Sequence, residues 1–353
     1  MLTKLNNFKG KKVVITGHTG FKGSWLSLWL HSLNAKILGI SNSNREKFSN
    51  FSLFNLKDKI IDKNIDLRKF NKLKKVIKRF KPDYIFHLAA QAIVKKSFED
   101  PKKTWESNTM ATINLLESLK VLKKQCVVVM ITSDKVYKNL EIERGYKEND
   151  LLGGHDPYSA SKASADIAIK SYSESFFNNS NIKIVIARAG NVIGGGDWSE
   201  GRLIPDCMKS CLKNKKVFIR SPNSTRPWQH VLDVLYGYLT LALKLKNNSS
   251  ISGNAFNFGP SGYNFRVLKV VKLMKKEWNK LDYKILKIKN FKESKLLKLN
   301  SSKSKKILKW KCFLNIRTSV LFTVKWYKSF SNNKYNVENL SINQIKEFQK
   351  KLY

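Results

Sequence analysis

The chain has 353 residues, 42% hydrophobic and 11% aromatic, enough to bury a large core and enough to argue against disorder. Its net charge of +41 would suit a nucleic acid or an anionic membrane, but only ten of its 67 basic residues are Arg, the lysines are spread along the chain, and Lys, Asn, Ile and Phe are the residues an AT-rich genome over-produces. Compositional bias therefore ranks ahead of nucleic-acid binding; an anionic, diphosphate-bearing substrate also suits the charge.

In chain order, Lys12–Thr16 reads as a buried strand and Lys22–Leu33 as a helix with Trp25, Leu26, Leu28, Trp29 and Leu30 on its apolar side. Ile37–Ile40 is a second strand, and a short third one ends near Asp66. Residues 70–80 form a basic amphipathic helix. Strand Tyr84–Leu88, helix 103–123, strand Val127–Ile131, helix 158–177 and strand Ile184–Ala187 follow. Apolar strands alternating with helices predict an α/β fold with a parallel sheet covered on both faces. Ligands bind such sheets at the carboxyl ends of the strands. The Gly- and Pro-rich stretch 190–230 reads as loop. Residues 265–353 are lysine-rich with helical periodicity, and from about Ser331 the chain is polar and expected to be loosely ordered.

The four cysteines, Cys126, Cys207, Cys211 and Cys312, lack a metal-ligand spacing and are expected to be reduced, with no metal. No run of about 18 apolar residues predicts a membrane span. Residues 1–9 hold no apolar stretch of signal-peptide length. A cytoplasmic location is expected.

The first strand runs directly into Gly17-His18-Thr19-Gly20-Phe21-Lys22-Gly23. Glycines between a strand and a helix allow a tight turn and close approach of a pyrophosphate, which the helix N-terminus then binds. An acidic residue ending the second strand would select NAD and a basic one NADP. The segment Ser41-Asn42-Ser43-Asn44-Arg45 holds no carboxylate and one Arg, so NAD and NADP both stay open. Asp66 and Leu67 lie on the adenine side. Leu88, Ala89, Ala90 and Gln91, after the fourth strand, would let a cofactor lie flat. His87 reads as a packed structural histidine.

Tyr158 and Lys162 form a Tyr-x-x-x-Lys pair behind Asp156-Pro157, a helix cap and first-turn proline. Four residues apart on a helix, they share a face. A neighbouring cation is expected to lower the tyrosine pKa and make it a general base. The strand ending at Ile131 delivers Thr132-Ser133-Asp134-Lys135 to the ligand end of the sheet. An adjacent acid and base exceed what hydride transfer needs and suit elimination of water.

These segments resemble CDP-glucose 4,6-dehydratases, of the extended short-chain dehydrogenase/reductase type, along nearly the whole chain. The resemblance rests on Thr16–Gly23, His87–Gln91, Thr132–Lys135, Asp156–Ser159 with Lys162, Arg188–Trp198, Arg226–Val231, Asn257–Pro260 and Leu297–Leu299. Departures occur at Lys95, Lys96 and Ala160. It implies a Rossmann-type, doubly wound NAD-binding domain at 1–188, rejoined by 228–257, and a smaller, discontinuous nucleotide-sugar domain at 189–227 and 258–353. It also implies NAD, a homodimer and conversion of CDP-glucose to CDP-4-dehydro-6-deoxyglucose for the deoxysugars of surface polysaccharides. By position, Tyr158 would deprotonate the C4 hydroxyl, Ser133 hold that oxygen and Asp134 protonate the departing C6 hydroxyl. Lys135 would act at C5, as base or as electrostatic stabiliser. Asn191, Arg202 and Arg226 become candidates for the sugar and diphosphate, with a surface salt bridge an open alternative for Arg202. Trp198, Trp228 and His230 would pack around the nucleotide or in the core. A 4-epimerase on the same fold is the rival reading, and Asp134-Lys135 argues against it.

Overall fold

The computed structural model describes residues 5–42, 47–260, 265–286 and 296–352. Strand β1 (Lys12–Thr16) leads into helix α1 (Phe21–Ser32), and β2 (Lys36–Ser41) and β3 (Ile61–Asn64) extend the sheet on one side of β1. Helix α2 (Phe70–Phe80) carries the chain to β4 (Tyr84–His87), which pairs with the other side of β1. Three helices follow: α3 (Val94–Glu99), α4 (Pro101–Trp105) and, after a π-turn at Glu106–Met110, α5 (Ala111–Leu119). Strand β5 (Cys126–Ile131), helix α6 (Pro157–Phe176) and β6 (Ile182–Ala189) continue outward.

Beyond β6 come β7 (Val192–Ile193), α7 (Leu203–Leu212), β8 (Val217–Ile219), β9 (Thr225–Arg226) and β10 (Gln229–His230). Helix α8 (Val231–Asn247) returns to the sheet, and β11 (Ala255–Phe258) closes its edge beside β6. The rest comprises β12 (Phe265–Arg266), α9 (Val267–Glu277), β13 (Tyr283–Ile285), α10 (Ser302–Leu308), α11 (Ile316–Asn332) and α12 (Val337–Lys350). The seven parallel strands run β11-β6-β5-β4-β1-β2-β3.

The doubly wound α/β architecture follows from the sequence pattern. Every residue of β4 and β5 is buried, as strands covered on both faces require. On one face, Leu73 and Ile77 of α2, Leu115 and Leu119 of α5 and Ile169 of α6 pack on Val14, Ile85 and Val128. On the other, Trp25 and Trp29 of α1, Leu235 of α8 and Trp326 of α11 share a core with Val13, Ile15 and Phe86. Each large side chain buried this way contributes about 1.5–3 kcal/mol.

Three expectations need correction. Residues 103–123 are not one helix. The helical stretch begins at Val94 and breaks at Asp100-Pro101, where the proline lacks an N–H and Asp100 accepts from Lys103 N at 3.0 Å. It then widens into the π-turn and ends at Leu119. The C-terminal stretch is not loose, because α12 buries Ile345 and Phe348, the latter edge-on to Trp29 at 5.7 Å. Stretch 190–230 is not all loop, since it carries α7 and four short strands, β7 to β10. The four cysteines are free thiols, all but Cys312 buried. Among the described residues no helix is long and apolar enough to cross a membrane.

Candidate active site

The sheet changes direction between β1 and β4, and the loops leaving their carboxyl ends face each other there. This is the crevice where open α/β sheets bind ligands. Gly17 has φ +73°, and a Cβ there would stand 2.8 Å from Ala89 Cα. Glycine is therefore required for the two loops to meet. Gly20 is the extended N-cap of α1, and no side chain caps that helix. The first-turn N–H groups of Phe21, Lys22 and Gly23 thus form an anion cradle that fits a pyrophosphate.

Hydrogen bonds fix the floor of the crevice. Thr112 donates to Asn108 O at 2.7 Å, so at 3.1 Å it accepts from His87 Nε2. Thr16 then donates to His87 Nδ1 at 2.8 Å and accepts from Ala89 N at 3.2 Å. These bonds assign the neutral Nε2–H tautomer, and burial pushes the pKa of His87 down to about 3. His87 is the packed structural histidine the sequence suggests. Asn108, on the π-turn, accepts from Gln91 N at 2.8 Å and donates to Ser161 Oγ at 2.9 Å. It ties Leu88–Gln91 to the helix that carries Tyr158 and Lys162.

Beyond β3, Leu67 is buried and Asp66 is gripped by Arg68 at 2.6 Å. Hydrogen bonds from Arg68 hold the Asp66 carboxyl down at about 2. Arg68 also reaches Glu106 at 2.8 Å. Ser41 bonds to Thr19 at 2.8 Å, while Ser43, Asn44 and Arg45 lie outside the described residues.

The segment Thr132–Lys135 turns at the end of β5 against the first turns of α6. Asp156 caps α6, accepting from Ser159 N at 2.9 Å behind Pro157. Tyr158 and Lys162 are both buried. Lys162 donates to Ile131 O at 3.1 Å, and burial lowers its pKa to about 8 while Asp166 pulls it up. Tyr158 departs from expectation. Burial raises its pKa, and the opposing influences are a hydrogen bond with Ser133 and the charge of Arg202. Tyr158 is buried deeply enough that desolvation outweighs those influences.

Ser133 donates to Asp134 Oδ1 at 3.1 Å and accepts from Lys135 N at 3.2 Å. Asp134 is 3% exposed, and among the described residues its Oδ2 has no hydrogen-bond partner. Burial raises its pKa against the charges of Lys135 and Arg226. Lys135 itself is half-buried.

At the mouth, Arg202 bonds to Asp197 at 3.2 Å and to Ala92 O at 3.1 Å, bridging two loops. Arg226, on β9, is close enough to Asp134 to act on its charge. Asn191 follows β6, and its carbonyl accepts from Gln229 N at 3.0 Å. The nearby aromatic motifs are structural. Trp198 packs on Trp326, Tyr327 and Phe330, and His230 on Trp25 and Phe322. Trp228 donates to Phe265 O at 3.2 Å.

Sequence reasoning missed the support behind this turn. Arg188 on β6 grips Asp166 through Nη2 at 2.6 Å and Nε at 2.9 Å, and Thr132 donates to the same carboxylate at 2.9 Å. Arg188 also donates to Tyr137 at 2.9 Å, and Tyr137 to Asn257 at 2.7 Å. A signal was available. Tyr158, Lys162 and Asp166 repeat every four residues, so all three share one helix face.

A family profile described as "GDP-mannose 4,6 dehydratase" matches residues 14–320. A CDP-glucose 4,6-dehydratase of Salmonella typhimurium is 45% identical over 260 residues, 72% of each chain. Among solved structures, an epimerase of Methanothermobacter thermautotrophicus has a TM-score of 0.82 at 21% identity, covering 94% of this chain and 96% of the other. A dTDP-glucose 4,6-dehydratase of Bacillus anthracis in complex with NAD has a TM-score of 0.76 at 21% identity, covering 92% and 98%. The structural likenesses establish the fold; the profile and the Salmonella relative go further, and the chain belongs to the nucleotide-sugar 4,6-dehydratase family.

Proposed function

We propose that this protein is an NAD-dependent hydro-lyase that converts CDP-D-glucose to CDP-4-dehydro-6-deoxy-D-glucose and water, a precursor of surface-polysaccharide deoxysugars. The observation that carries this reading is the meeting, in one cleft, of a buried Tyr158 and Ser133 with a buried Asp134 whose Oδ2 has no hydrogen-bond partner among the described residues. The activity named for the Salmonella relative supports CDP-glucose as the substrate.

When bound, an oxidised nicotinamide would supply the acceptor for the C4 hydride and the donor that returns it to C6. Tyr158 takes the proton of the C4 hydroxyl while Ser133 holds that oxygen. Burial favours the protonated form of Asp134, the form a general acid needs to release the C6 hydroxyl as water. Lys135 serves C5, as base or as the cation that stabilises the enolate. A Lys135→Gln enzyme that oxidises C4 yet retains the water supports this assignment, and unimpaired water loss rejects it.

Gly17, Gly20, Phe21, Lys22 and Gly23 hold the cofactor pyrophosphate. Asp66 and Leu67 would hold its adenine half, and Leu88, Ala89, Ala90 and Gln91, with Tyr158 and Lys162, would hold the rest. Asn191, Arg202 and Arg226 hold the sugar and its diphosphate, because the Arg fork matches phosphate oxygens. NAD is supported by the fold relative in complex with NAD. Residues 189–227 and 258–353 form the nucleotide-sugar half. The working unit is a cytoplasmic homodimer. Exposed Trp105, Met110, Ile167 and Phe176, on or beside α5 and α6, supply its apolar face.

The test weighs the products formed from CDP-, dTDP-, UDP- and GDP-glucose. Loss of one water from CDP-glucose alone supports the reading. An isomer of unchanged mass would make the protein an epimerase, and water loss from a different nucleotide would reassign the base.

A further inference from the structure

Helix α8 is pressed against the sheet. A Cβ on Gly237 would stand 2.5 Å from Phe258 Cε1 on β11, so glycine is what allows the approach. The next residue, Tyr238, is fully buried in the core that holds Val129 and Ile131 of β5, the strand that runs on into Asp134. Its ring stands edge-on to Phe258 at 5.7 Å, and its other neighbours are groups of the cleft. Lys22 Nζ lies 5.8 Å from the ring centre, and the charges of Asp134 and Tyr158 act on the phenol. Among the described residues the Tyr238 hydroxyl has no hydrogen-bond partner, and neither has Asp134 Oδ2. An unpartnered buried polar atom is costly, so two in one neighbourhood of a cleft call for a catalytic explanation.

Acid catalysis creates a need for that hydroxyl. In the elimination the C5–H electron pair becomes the C5–C6 double bond and the C6–O pair leaves with the oxygen. That oxygen takes the proton of Asp134 and departs as water, so a carboxylate is left in a buried place. Ser133 donates to Asp134 Oδ1, but a serine has one hydrogen to give, and the reaction proposed above turns it to the C4 oxygen. The new carboxylate then needs another donor. We infer that Tyr238 is a positioning residue for the acid, its hydroxyl donating through one bridging water to Asp134 Oδ2 and steadying the carboxylate that proton transfer leaves there. The inference rests on the proposed dehydration. Tyr238 has no exposed surface, so it reaches the sugar only through Asp134. Burial keeps the phenol protonated, so it stays a donor. The water accepts from Tyr238 and donates to Oδ2, which satisfies both atoms. The other titratable and charged groups facing the pair are Lys22 on α1, Lys135 after β5, Tyr158 on α6 and Arg226 on β9.

The experiment follows one turnover of CDP-glucose by the full-length protein with saturating NAD+, from pH 5 to 9, in the parent, Tyr238→Phe, Asp134→Asn and the double variant. Absorbance of the reduced nicotinamide reports C4 oxidation, and the mass of quenched samples reports water loss. Tyr238→Phe should leave C4 oxidation unchanged. The high-pH limb of water loss should move up by about one unit, because a carboxylate deprived of a donor holds its proton more tightly. The same change makes a weaker acid, so the low-pH plateau should fall about threefold. Once Asp134→Asn has removed the acid, Tyr238→Phe should change nothing more. A limb that stays in place, equal slowing of both steps, or the same loss with and without Asp134 overturns the inference alone. Failure of the parent to dehydrate CDP-glucose overturns the proposed function instead.

Discussion

Two buried aspartates stand on the same wall of the cleft and are treated in opposite ways. Asp166 is held by two nitrogens of Arg188 and by the Thr132 hydroxyl. Asp134, two residues beyond Thr132, has one oxygen held by Ser133 and the other by no described residue. A buried charge that is fully paired stabilises one arrangement, whereas one left half-satisfied is costly and reactive. The first is scaffolding that fixes the end of β5; the second is the acid of the proposed reaction, held in place by that scaffolding.

Removing the acid should have the largest effect on turnover. Asp134→Asn keeps the shape and loses the proton donor. Water loss should slow by about 10²–10⁴-fold, while single-turnover absorbance still reports C4 oxidation. Equal loss of both steps would place Asp134 among the groups that merely hold the sugar. Breaking the scaffold should act on the fold instead. Arg188→Met strands Asp166 and should cost about 3–5 kcal/mol in denaturant unfolding. A cost under about 1 kcal/mol would show that the pair is not desolvated.

The contrast also has a pH signature. The folded-state pKa of Asp134 is raised by burial, so the folded protein binds its proton more tightly than the unfolded chain does. The resulting stability is complete below the unfolded pKa, about 4, and is lost as pH rises through the folded value. Parent and Asp134→Asn should therefore unfold alike at acid pH, with the parent falling behind as pH rises. A gap that does not move with pH would contradict the assignment. The smallest effect belongs to Asp66, whose pKa is held at about 2 by Arg68. That pair is partly exposed, so Asp66→Asn should cost under about 1 kcal/mol. The cost should vanish as pH falls from about 4 toward 2, and calorimetric melting would check it.

Much of this was legible in the chain. Strands such as Val127–Ile131 are continuous apolar runs because both faces are covered. The four-residue spacing of Tyr158 and Lys162 is a property of any helix. The spacing of Asp166 was legible, but its bonds to Arg188 and Thr132 were not, because they join α6, β6 and the end of β5, and only folding brings these together. Asn108 hid inside a stretch that reads as ordinary helix, since a single π-turn is too short to show a period of its own. Helix α12 looked polar because Val337, Ile345 and Phe348 are few among its charged and amide neighbours. The pKa of Tyr158 was misjudged because spacing reports the nearby cation and not the depth of burial.

The central claim is that one cleft removes a hydride from C4, expels water across C5 and C6, and returns the same hydride to C6. The most direct measurement incubates the purified protein with CDP-glucose deuterated at C4 and analyses the product by mass spectrometry and NMR. The account predicts a product lighter by one water that retains the deuterium, now on C6. A product of unchanged mass, or a dehydrated product with the label lost to solvent, would contradict it.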